Sequence, residues 1–301
     1  MERKDMKKHA YLIMAHIQPE LLKKLLELLD DERNDIYLHI DSKAMDFPIE
    51  DVAAVLKKSH CVFTDRTDVK WGSYSQIHCE MLLLKEATKT EHSYYHLLSG
   101  MDLPIKSQDE IHAFFDKYEG LEFVDEDLPQ ISEAALSRVK YAHKFYGKAG
   151  SAKDILGALA TKGQKILGVD KTRKYGDIIF QKGRNWFSIT HGLAKLVVEK
   201  EDWIWDVFSQ SVCGDELFLQ TVARNSEFAD KICNPNTMPE IPDTRHIDWE
   251  RGCNNNPYIF RENDYEELKQ AKSLFARKFD LNVDKKIVEK ICANLKNSYN
   301  D

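Results

Sequence analysis

Short apolar runs alternate with amphipathic segments along the first 128 residues, which is typical of βαβ units and a largely parallel sheet. The amphipathic segment 19–31 places leucines mostly along one helical face. A second helix is predicted over 73–89, and a third begins after Ser107, with Glu110 three residues on as in a capping box. Strands are predicted at 9–17, 34–41, 60–65, 93–100 and 121–129. The pattern therefore predicts an α/β fold.

The second half of the chain has a weaker pattern. From residue 130 to about 183 the periodicity fades, and we interpret the basic segment 137–154 as an insertion over the sheet. A strand followed by a helix is predicted over 185–200. Further on we predict a helix at 215–225, a loop at 234–257 and two closing helices at 264–280 and 284–297. The length is compatible with two domains or with one elaborated domain.

The composition narrows the class of protein. The 301 residues include 43 Lys+Arg and 50 Asp+Glu, so the net charge is 43 − 50 = −7, and 43% are hydrophobic. A chain of this kind is not disordered, and its acidic balance argues against nucleic acid as a partner. Six cysteines without a CxxC pair are expected to be reduced thiols.

The apolar stretches bear on localisation. None approaches the roughly 18–20 residues of a membrane span or the roughly 7–15 residues of a signal-peptide core. We therefore expect a cytoplasmic protein. A peripheral contact with the inner face of the cell membrane is compatible with the closing helices and with a basic start, formed by Arg3, Lys4, Lys7 and Lys8.

Polar side chains follow the predicted strands, at the point where each strand ends. In open α/β sheets the ligand lies outside the carboxyl ends of the strands, so these side chains predict a binding site. The alternative is that they only cap turns and helices. They are His16 and Gln18, Asp41 and Lys43, Asp65 and Arg66, and Ser99 to Asp102.

Several common motifs are absent from the sequence. It has neither GxGxxG nor GxxxxGK[ST], so no phosphate-binding loop is predicted, and it has neither HExxH nor GxSxG. Asp125 and Asp127 flank Glu126 in a DxD pattern, which fits either a Mn²⁺ or Mg²⁺ site for a nucleotide diphosphate or a solvated acidic loop. His191 fits either a general base or a helix cap.

Two further segments carry candidate chemistry. Asp215 and Glu216 stand in a turn that opens a predicted helix, where a carboxylate is either a cap or, if buried, a general base. Near the C-terminus, Arg277 and Lys278 could neutralise a diphosphate without a metal ion, or form an exposed basic helix end. The residues alone therefore indicate an α/β protein with an anion site.

Seven sequence blocks occur in order between about residue 9 and residue 280. They are HAYLIMAHIQPELLKKLLELL, YLHIDSKA, WGSYSQIHCEMLLLKEA, YYHLLSGMDLPIKS, GRNWFSITHGLAKLV, CGDELFLQTV and LFARKFD. This series resembles the core-2/I-branching glycosyltransferase family, glycosyltransferase family 14, which includes β-1,6-N-acetylglucosaminyltransferases and peptide O-xylosyltransferases. SGMDLPIKS and LFARKFD together are the specific part of the resemblance.

The resemblance implies a GT-A type fold, with a Rossmann-like mixed sheet flanked by helices. It further implies one catalytic domain over 1–301, with a nucleotide-sugar half at about 9–128 and an acceptor half at about 129–301. Members of the family transfer N-acetylglucosamine or xylose from a UDP-sugar with inversion at the anomeric carbon. The family works without a metal ion, so no cofactor and no metal are expected, and basic side chains contact the diphosphate.

The resemblance also assigns roles to residues. Glu216 is implied to be the catalytic base, with Asp215 orienting the turn, although Gly214 stands where the family often has Pro. The donor UDP-sugar is expected to contact His16, Asp41, Lys43, Asp102, Arg245 and Lys278. Arg251, Arg261 and Arg277 compete with Arg245 for the place beside Lys278. The acceptor is expected to meet Arg138, Lys140, Tyr141 and Trp186.

These implications favour an enzyme that moves N-acetylglucosamine from UDP-N-acetylglucosamine to a hydroxyl of a glycan or lipid-linked glycan acceptor. A bacterial-type enzyme of surface polysaccharide synthesis would fit them. The alternatives are a UDP-xylose-dependent xylosyltransferase, a metal-dependent enzyme that uses Asp125 and Asp127, and a non-catalytic glycan-binding or scaffold protein of the same fold.

Overall fold

The computed structural model describes residues 7–127, 130–143, 151–236, 238–253 and 256–297. Arg3 and Lys4 of the basic start lie outside the described residues, as do 128–129 and 144–150 of the predicted fifth strand and insertion. Within the described ranges, no helix combines the length and the apolar content that crossing a bilayer requires.

The strands form two sheets. They are β1 (His9–Ala15), β2 (Asn34–Ile40), β3 (His60–Phe63), β4 (Tyr94–Ser99), β5 (Asp102–Pro104), β6 (Ser188–Thr190), β7 (Arg245–Ile247) and β8 (Phe275–Arg277). The larger sheet has the order β3-β2-β1-β4-β6, in which β6 alone runs antiparallel. The smaller sheet has the order β5-β8-β7.

Helices flank both sheets. They are α1 (Pro19–Leu29), α2 (Ile49–Ala53), α3 (Ser75–Ala87), α4 (Gln108–Lys117), α5 (Glu133–Lys140), α6 (Ala152–Ile166), α7 (His191–Glu199), α8 (Glu201–Phe208), α9 (Phe218–Arg224), α10 (Tyr265–Gln270) and α11 (Lys285–Asn297). Short 3₁₀ turns lie at Lys171–Tyr175, Gly214–Glu216, Ala229–Lys231 and Glu262–Asp264. The predicted α/β fold, a mixed sheet flanked by helices, is confirmed.

Local sequence signals explain where helices α1 and α4 begin. Helix α1 has Pro19 at its first turn, and its six leucines from Leu21 to Leu29 are all buried, as predicted. Helix α4 starts with the predicted capping box, since Ser107 N donates to Glu110 Oε2 at 2.8 Å and Glu110 N donates to Ser107 Oγ at 3.3 Å.

Alternate residues of β1 face opposite sides of the larger sheet, as the two-residue period of a strand requires. Tyr11 and Ile13 pack against α1, α4 and α11, whereas Ala10 and Leu12 pack against α3, α7 and α9. Both faces of the sheet are therefore covered, and a ligand has access to the sheet at the ends of its strands.

Three predicted elements differ from the structure. The predicted fifth strand at 121–129 is wrong, because Glu122 and Phe123 form only isolated bridges, to Ile232 and Ser188. The three carboxylates that follow bind basic side chains and do not continue a ladder. The predicted loop at 234–257 contains β7.

The segment LFARKFD is a strand and not the end of a helix, since α10 stops at Gln270 and β8 begins at Phe275. Strand β8 pairs antiparallel with β5, and Asp102 stands opposite Arg277. A strand from the end of the chain thereby joins the segment that directly follows β4. This pairing brings the C-terminal cations to the carboxyl end of the larger sheet.

Candidate active site

The predicted base stands in the 3₁₀ turn Gly214–Glu216, between α8 and α9. Cys213 enters the turn in the left-handed conformation, at φ 48°. A Cβ on Gly214 would lie 2.3 Å from the Ser211 hydroxyl oxygen, so a side chain at this position requires Ser211 to move. This close contact gives a local reason for Gly214 where the resemblance leads one to expect Pro.

Two cations hold the Glu216 carboxylate, which is 36% exposed. Its Oε2 accepts from Arg138 Nη1 at 2.6 Å and lies 3.9 Å from Lys182 Nζ. The Glu216 main-chain oxygen accepts from Gly183 N at 3.0 Å. A Cβ on Gly183 would lie 1.9 Å from the Asp125 carbonyl oxygen, so this backbone contact needs glycine. Glu216 is therefore ionically held yet open to solvent.

Asp215 points the opposite way, into the protein. Its Oδ2 accepts from Gln76 Nε2 at 2.9 Å, and Gln76 Oε1 in turn accepts from Gly72 N, so the loop before α3 fixes the turn. Burial raises the pKa of Asp215 to about 7, and the neighbouring charge of Glu216 adds to the rise. The Asp215 carboxylate therefore links the turn to the loop before α3.

A second buried carboxyl, that of Glu80 on α3, lies close enough to Asp215 to feel its charge. Burial raises the pKa of Glu80 well above its ordinary value, and the charge of Asp215 raises it further. Neither oxygen of Glu80 has a hydrogen-bond partner among the described residues. The turn that carries Glu216 is thus backed by an acidic pair that retains protons toward neutral pH.

Three of the predicted donor residues, His16, Asp41 and Lys43, lie at the carboxyl ends of β1 and β2. Lys43 Nζ lies 3.1 Å from Asp41 and 2.7 Å from Asp68. Loss of hydration lowers the pKa of His16, Asp41 opposes that shift, and the cations Lys43, Lys278 and Arg277 add to it. The strand-end residues and the C-terminal cations are therefore neighbours in space.

Asp102 is fully engaged inside the protein. Its carboxylate accepts from Ser99 N and Ser99 Oγ, each at 2.8 Å, and from Arg277 Nη1 at 2.7 Å. The Arg277 guanidinium also lies over the Trp186 ring, 4.3 Å from its centroid. Asp102 thus holds Arg277, one of the competing cations, at this edge.

Lys278 differs from its neighbour. Its side chain is partly buried, and in the described part of the chain its Nζ makes no hydrogen bond or ion pair. Burial lowers the pKa of Lys278, Arg277 lowers it further, and Asp280 and Asp102 oppose the change. A lysine without a carboxylate partner beside a second cation is suited to bind an anion.

Arg245 lies elsewhere, between the two sheets. It is 5% exposed, and its Nη2 donates to the carbonyl oxygens of Phe187 at 2.7 Å and Leu97 at 3.3 Å. Burial lowers the pKa of Arg245 to about 10. Its guanidinium is committed to the protein interior, so this position does not favour the predicted contact with the diphosphate.

Of the other competing arginines, Arg251 is held by carboxylates, whereas Arg261 directly follows Phe260, whose amide donates to the Lys278 carbonyl oxygen at 3.0 Å. Arg251 pairs with Asp248, Asp264 and Glu267, and the amide of Arg261 begins the turn that precedes α10. The four predicted acceptor residues divide into two pairs. Arg138 and Trp186 flank the site as described above, whereas Lys140 lies 3.4 Å from Asp170 and Tyr141 is buried beneath Lys165.

The segment 182–186 joins the two sides of the site. Lys182 approaches Glu216, Trp186 lies under Arg277, and Arg184 between them pairs with Asp125 at 2.9 Å and with Asp243 at 2.6 Å. Arg184 and Trp186 also line a cleft together with Asp125 and Asp243. The segment 182–186 therefore contacts both the base side and the donor edge.

The DxD carboxylates are each paired with their own cation. Asp125 binds Arg184, Asp127 lies 2.9 Å from Lys182, and the buried Glu126 binds Arg224. No group of three or more His, Cys, Asp or Glu side chains suited to a metal ion occurs in the described ranges. His191 begins α7 and bonds to Tyr95 near the start of β4, toward the end of the sheet opposite the site.

Sequence reasoning missed Gln76, Glu80, Lys182 and Arg184. Gln76 and Glu80 lie inside the block WGSYSQIHCEMLLLKEA, and Arg184 lies inside the block GRNWFSITHGLAKLV. The blocks that carry the resemblance therefore include three of these four positions. Their partners are distant in sequence, by 139 residues for Gln76 and Asp215. The contacts are therefore a product of the fold.

Comparisons with known proteins place the chain in a family. A family model described as Core-2/I-Branching enzyme matches residues 9–272. Xylosyltransferase 2 of Rattus norvegicus is 24% identical over 310 residues, which cover 96% of this chain and 34% of the relative. The N-acetyllactosaminide beta-1,6-N-acetylglucosaminyl-transferase of Homo sapiens is 23% identical, over 91% of this chain and 68% of the relative. The chain thus spans about a third of the length of that xylosyltransferase.

Among solved structures, the apo form of mouse xyloside xylosyltransferase 1 covers 89% of this chain and 97% of its own, with a TM-score of 0.40 and 9% identity. The two sequence relatives are named as glycosyltransferases, the class of enzyme that the sequence blocks implied. The chain belongs to the core-2/I-branching enzyme family, a family of glycosyltransferases.

Proposed function

We propose that this protein is an inverting glycosyltransferase that moves N-acetylglucosamine from UDP-N-acetylglucosamine to a hydroxyl of a glycan acceptor without a metal ion. The proposal is carried by the presence of an accessible Glu216 held by two cations and of Lys278, which has no ion-pair partner among the described residues, on the two sides of the segment 182–186. The first group suits a base and the second suits a diphosphate.

The reaction is a single displacement. The acceptor hydroxyl oxygen attacks the anomeric carbon from the face opposite UDP, and its proton passes to the Glu216 carboxylate. The bond between that carbon and the diphosphate oxygen breaks, and its electron pair leaves with UDP. Lys278 stabilises the charge that develops on the diphosphate, and Arg277 adds to it from its place on Asp102. One displacement inverts the anomeric centre.

Residues around these two groups have supporting roles. Arg138 and Lys182 keep the Glu216 side chain in one orientation, and Asp215 anchors the turn beneath it. On the donor side His16, Asp41 and Lys43 lie at the strand ends where a nucleotide binds in open α/β sheets. Trp186 offers an aromatic wall between the donor and the acceptor.

Xylosyl transfer is the second candidate, because relatives with both printed activities resemble the chain to nearly the same degree. These relatives are mammalian, so they do not test the expectation of a bacterial-type enzyme. A metal-dependent reaction through Asp125 and Asp127 would require both carboxylates to leave Arg184 and Lys182. A non-catalytic scaffold would bind the donor or the acceptor but transfer no sugar.

The test is a transfer assay with UDP-N-acetylglucosamine and UDP-xylose over a panel of glycan acceptors, read by the mass of the product. Each donor is assayed with EDTA and with Mn²⁺. We expect product from one donor at equal rates in both conditions. Activity that EDTA abolishes would overturn the metal-free mechanism, and donor binding without any transfer would favour the scaffold.

The matched control for the base is Glu201. Its side chain is 38% exposed and pairs with Lys85 at 2.9 Å, so its exposure and ion pairing resemble those of Glu216. Glu201→Gln should leave product formation unchanged, whereas Glu216→Gln should nearly abolish it. An equal loss in both variants would show that the assay reports general damage and not the loss of the base.

A further inference from the structure

Helix α6 carries a row of exposed apolar side chains. Ile155, Leu159 and Ile166 are 57%, 62% and 78% exposed, and their spacing of four and seven residues puts them on one helical face. Leu156 and Leu167, which are 47% and 80% exposed, widen this row. A contiguous exposed apolar surface of this kind marks an interaction site.

A different face of α6 attaches the helix to the protein. Gln164 accepts from Ala142 N at 2.8 Å and donates to Ala142 O at 3.0 Å, and Lys165 lies over the Tyr141 ring. Small or polar residues on the same face, among them Gly157 and Thr161, are partly buried. The apolar row is therefore not what holds α6 in place.

The charge around the row is opposite to that of the whole protein. Residues 155–175 contain five cationic residues and one carboxylate, a local charge of 5 − 1 = +4, in a chain whose net charge is −7. The carboxylate is Asp170, which Lys140 and Arg173 approach, and Lys174 forms an ion pair with Asp206 of α8 at 2.7 Å. The cations are Lys162, Lys165, Lys171, Arg173 and Lys174.

We propose that α6 and the 3₁₀ turn at Lys171–Tyr175 lie on an anionic lipid surface, with the apolar row among the acyl chains and the cations at the headgroup phosphates. An amphipathic helix with a basic border binds in the plane of a bilayer interface. Each lysine near such a surface contributes about 1 kcal/mol. The helix has 15 residues, which fits an interfacial position and is short of the roughly 20 residues of a span.

Charge favours a lipid surface over a second copy of this chain. A two-fold contact between two α6 helices would oppose two surfaces of the same positive charge, which costs free energy. Phosphatidylglycerol and related lipids offer both the apolar layer for the row and the negative charge for the cations. The charge around α6 therefore favours anionic lipid as the partner of its apolar row.

The placement of α6 gives this contact a consequence, which rests on the proposed function. Tyr141 and Ala142, which hold α6, directly follow the helix α5 from which Arg138 reaches Glu216. A lipid surface on α6 would lie on the Arg138 side of the base. The acceptor class that fits this geometry is a glycan linked to a membrane lipid, whose hydroxyl arrives from the bilayer.

The experiment is co-sedimentation of the full chain with vesicles of phosphatidylcholine alone or mixed with phosphatidylglycerol. The mixed vesicles should bind the protein at least 10-fold more tightly. The variant Ile155→Gln/Leu159→Gln/Ile166→Gln should lose that binding by more than 10-fold. Lys162→Gln should lose about fivefold, the share of one lysine.

The matched control is Met45→Gln/Val283→Gln, which removes two exposed apolar side chains from other surfaces and should sediment like the unchanged chain. Equal binding to both kinds of vesicle, or full binding by both α6 variants, would overturn the proposal. A dimer that is observed by sedimentation velocity and is dissociated by the α6 substitutions would also overturn the proposal. Vesicle binding needs no donor, so its failure and a failure of transfer on a soluble acceptor are scored separately.

Discussion

The two ends of the candidate site differ in how their charged side chains are paired. Glu216 has two cations within 4.0 Å, whereas Lys278 has no carboxylate within that distance among the described residues. The neighbouring Arg277, by contrast, is paired with Asp102. The protein therefore supplies the counter-charge on the base side and leaves it to the ligand on the donor edge.

The difference in charge pairing indicates a different role for each end. A carboxylate held by fixed cations keeps one orientation, which holds it in place for the acceptor hydroxyl. A lysine without a partner gains its hydrogen bonds only when an anion arrives. Substitutions on the base side should therefore lower kcat, and substitutions at the donor edge should weaken donor binding.

The largest effect should come from Glu216→Gln. The amide retains the shape of the side chain but cannot take the acceptor proton, so kcat should fall by roughly 10²–10⁴-fold. Affinity for UDP should stay within about twofold of the unchanged chain. Steady-state kinetics and titration of UDP measure the two quantities. Unchanged turnover would mean that another group is the base.

The next effect should come from Lys278→Ala. The loss of one charge-assisted hydrogen bond should weaken UDP binding by about 1.5–3 kcal/mol, or about 10–150-fold. Inhibition of the transfer reaction by added UDP measures this affinity. Lys85→Ala, which removes a lysine already paired with Glu201, is the control and should change nothing. If both variants bind UDP equally well, Lys278 does not touch the diphosphate.

A smaller effect should come from Arg138→Ala. Without this cation Glu216 keeps only the more distant Lys182, so its orientation should loosen and kcat should fall by up to about 10²-fold. UDP affinity should not change, and Arg138→Lys should restore part of the rate. A loss that falls equally on UDP affinity would place Arg138 on the donor side and remove the distinction between the two ends.

The smallest effect should come from Glu80→Met, which removes a buried, unpartnered carboxyl behind the base. The folded protein holds a proton on Glu80 that the unfolded chain releases above about pH 4.5, so this group costs more stability as pH rises. The variant should be more stable by about 1–3 kcal/mol at pH 8, and by less at pH 5. Calorimetric melting at both values measures the gain.

A gain that is the same at both pH values would mean that Glu80 does not carry a proton in the folded state. Glu80→Gln is the matched variant, since it retains the size and polarity of the side chain and removes only the ionisation. It should lose the pH dependence while gaining less stability than Glu80→Met. Asp215 remains in both variants, so its own titration near pH 7 is common to them.

The amino-terminal half could be read from the sequence because its signals are local. The buried runs of β1, β2 and β4, the leucine face of α1 and the capping box at Ser107 each lie within one short segment. Position in the chain also indicated that His16 and Asp41 would stand at strand ends, and the structure brings them together.

The donor edge could not be predicted in the same way. Strand β8 is three residues long and directly follows a helical pattern, so periodicity assigns it to the helix. Its partner β5 is more than 170 residues away in the chain, as the Arg277–Asp102 contact shows. The burial of Arg245 likewise depends on how the two sheets meet. Such contacts are set by tertiary packing, which no local pattern encodes.

The central claim is that Lys278 binds the donor diphosphate while Glu216 does not. Calorimetric titration of UDP in EDTA, into the unchanged chain, Glu216→Gln and Lys278→Ala, tests it most directly. We expect the unchanged chain and Glu216→Gln to bind UDP equally well, and Lys278→Ala to bind it at least 10-fold more weakly. Full binding by Lys278→Ala together with loss of binding by Glu216→Gln would contradict it.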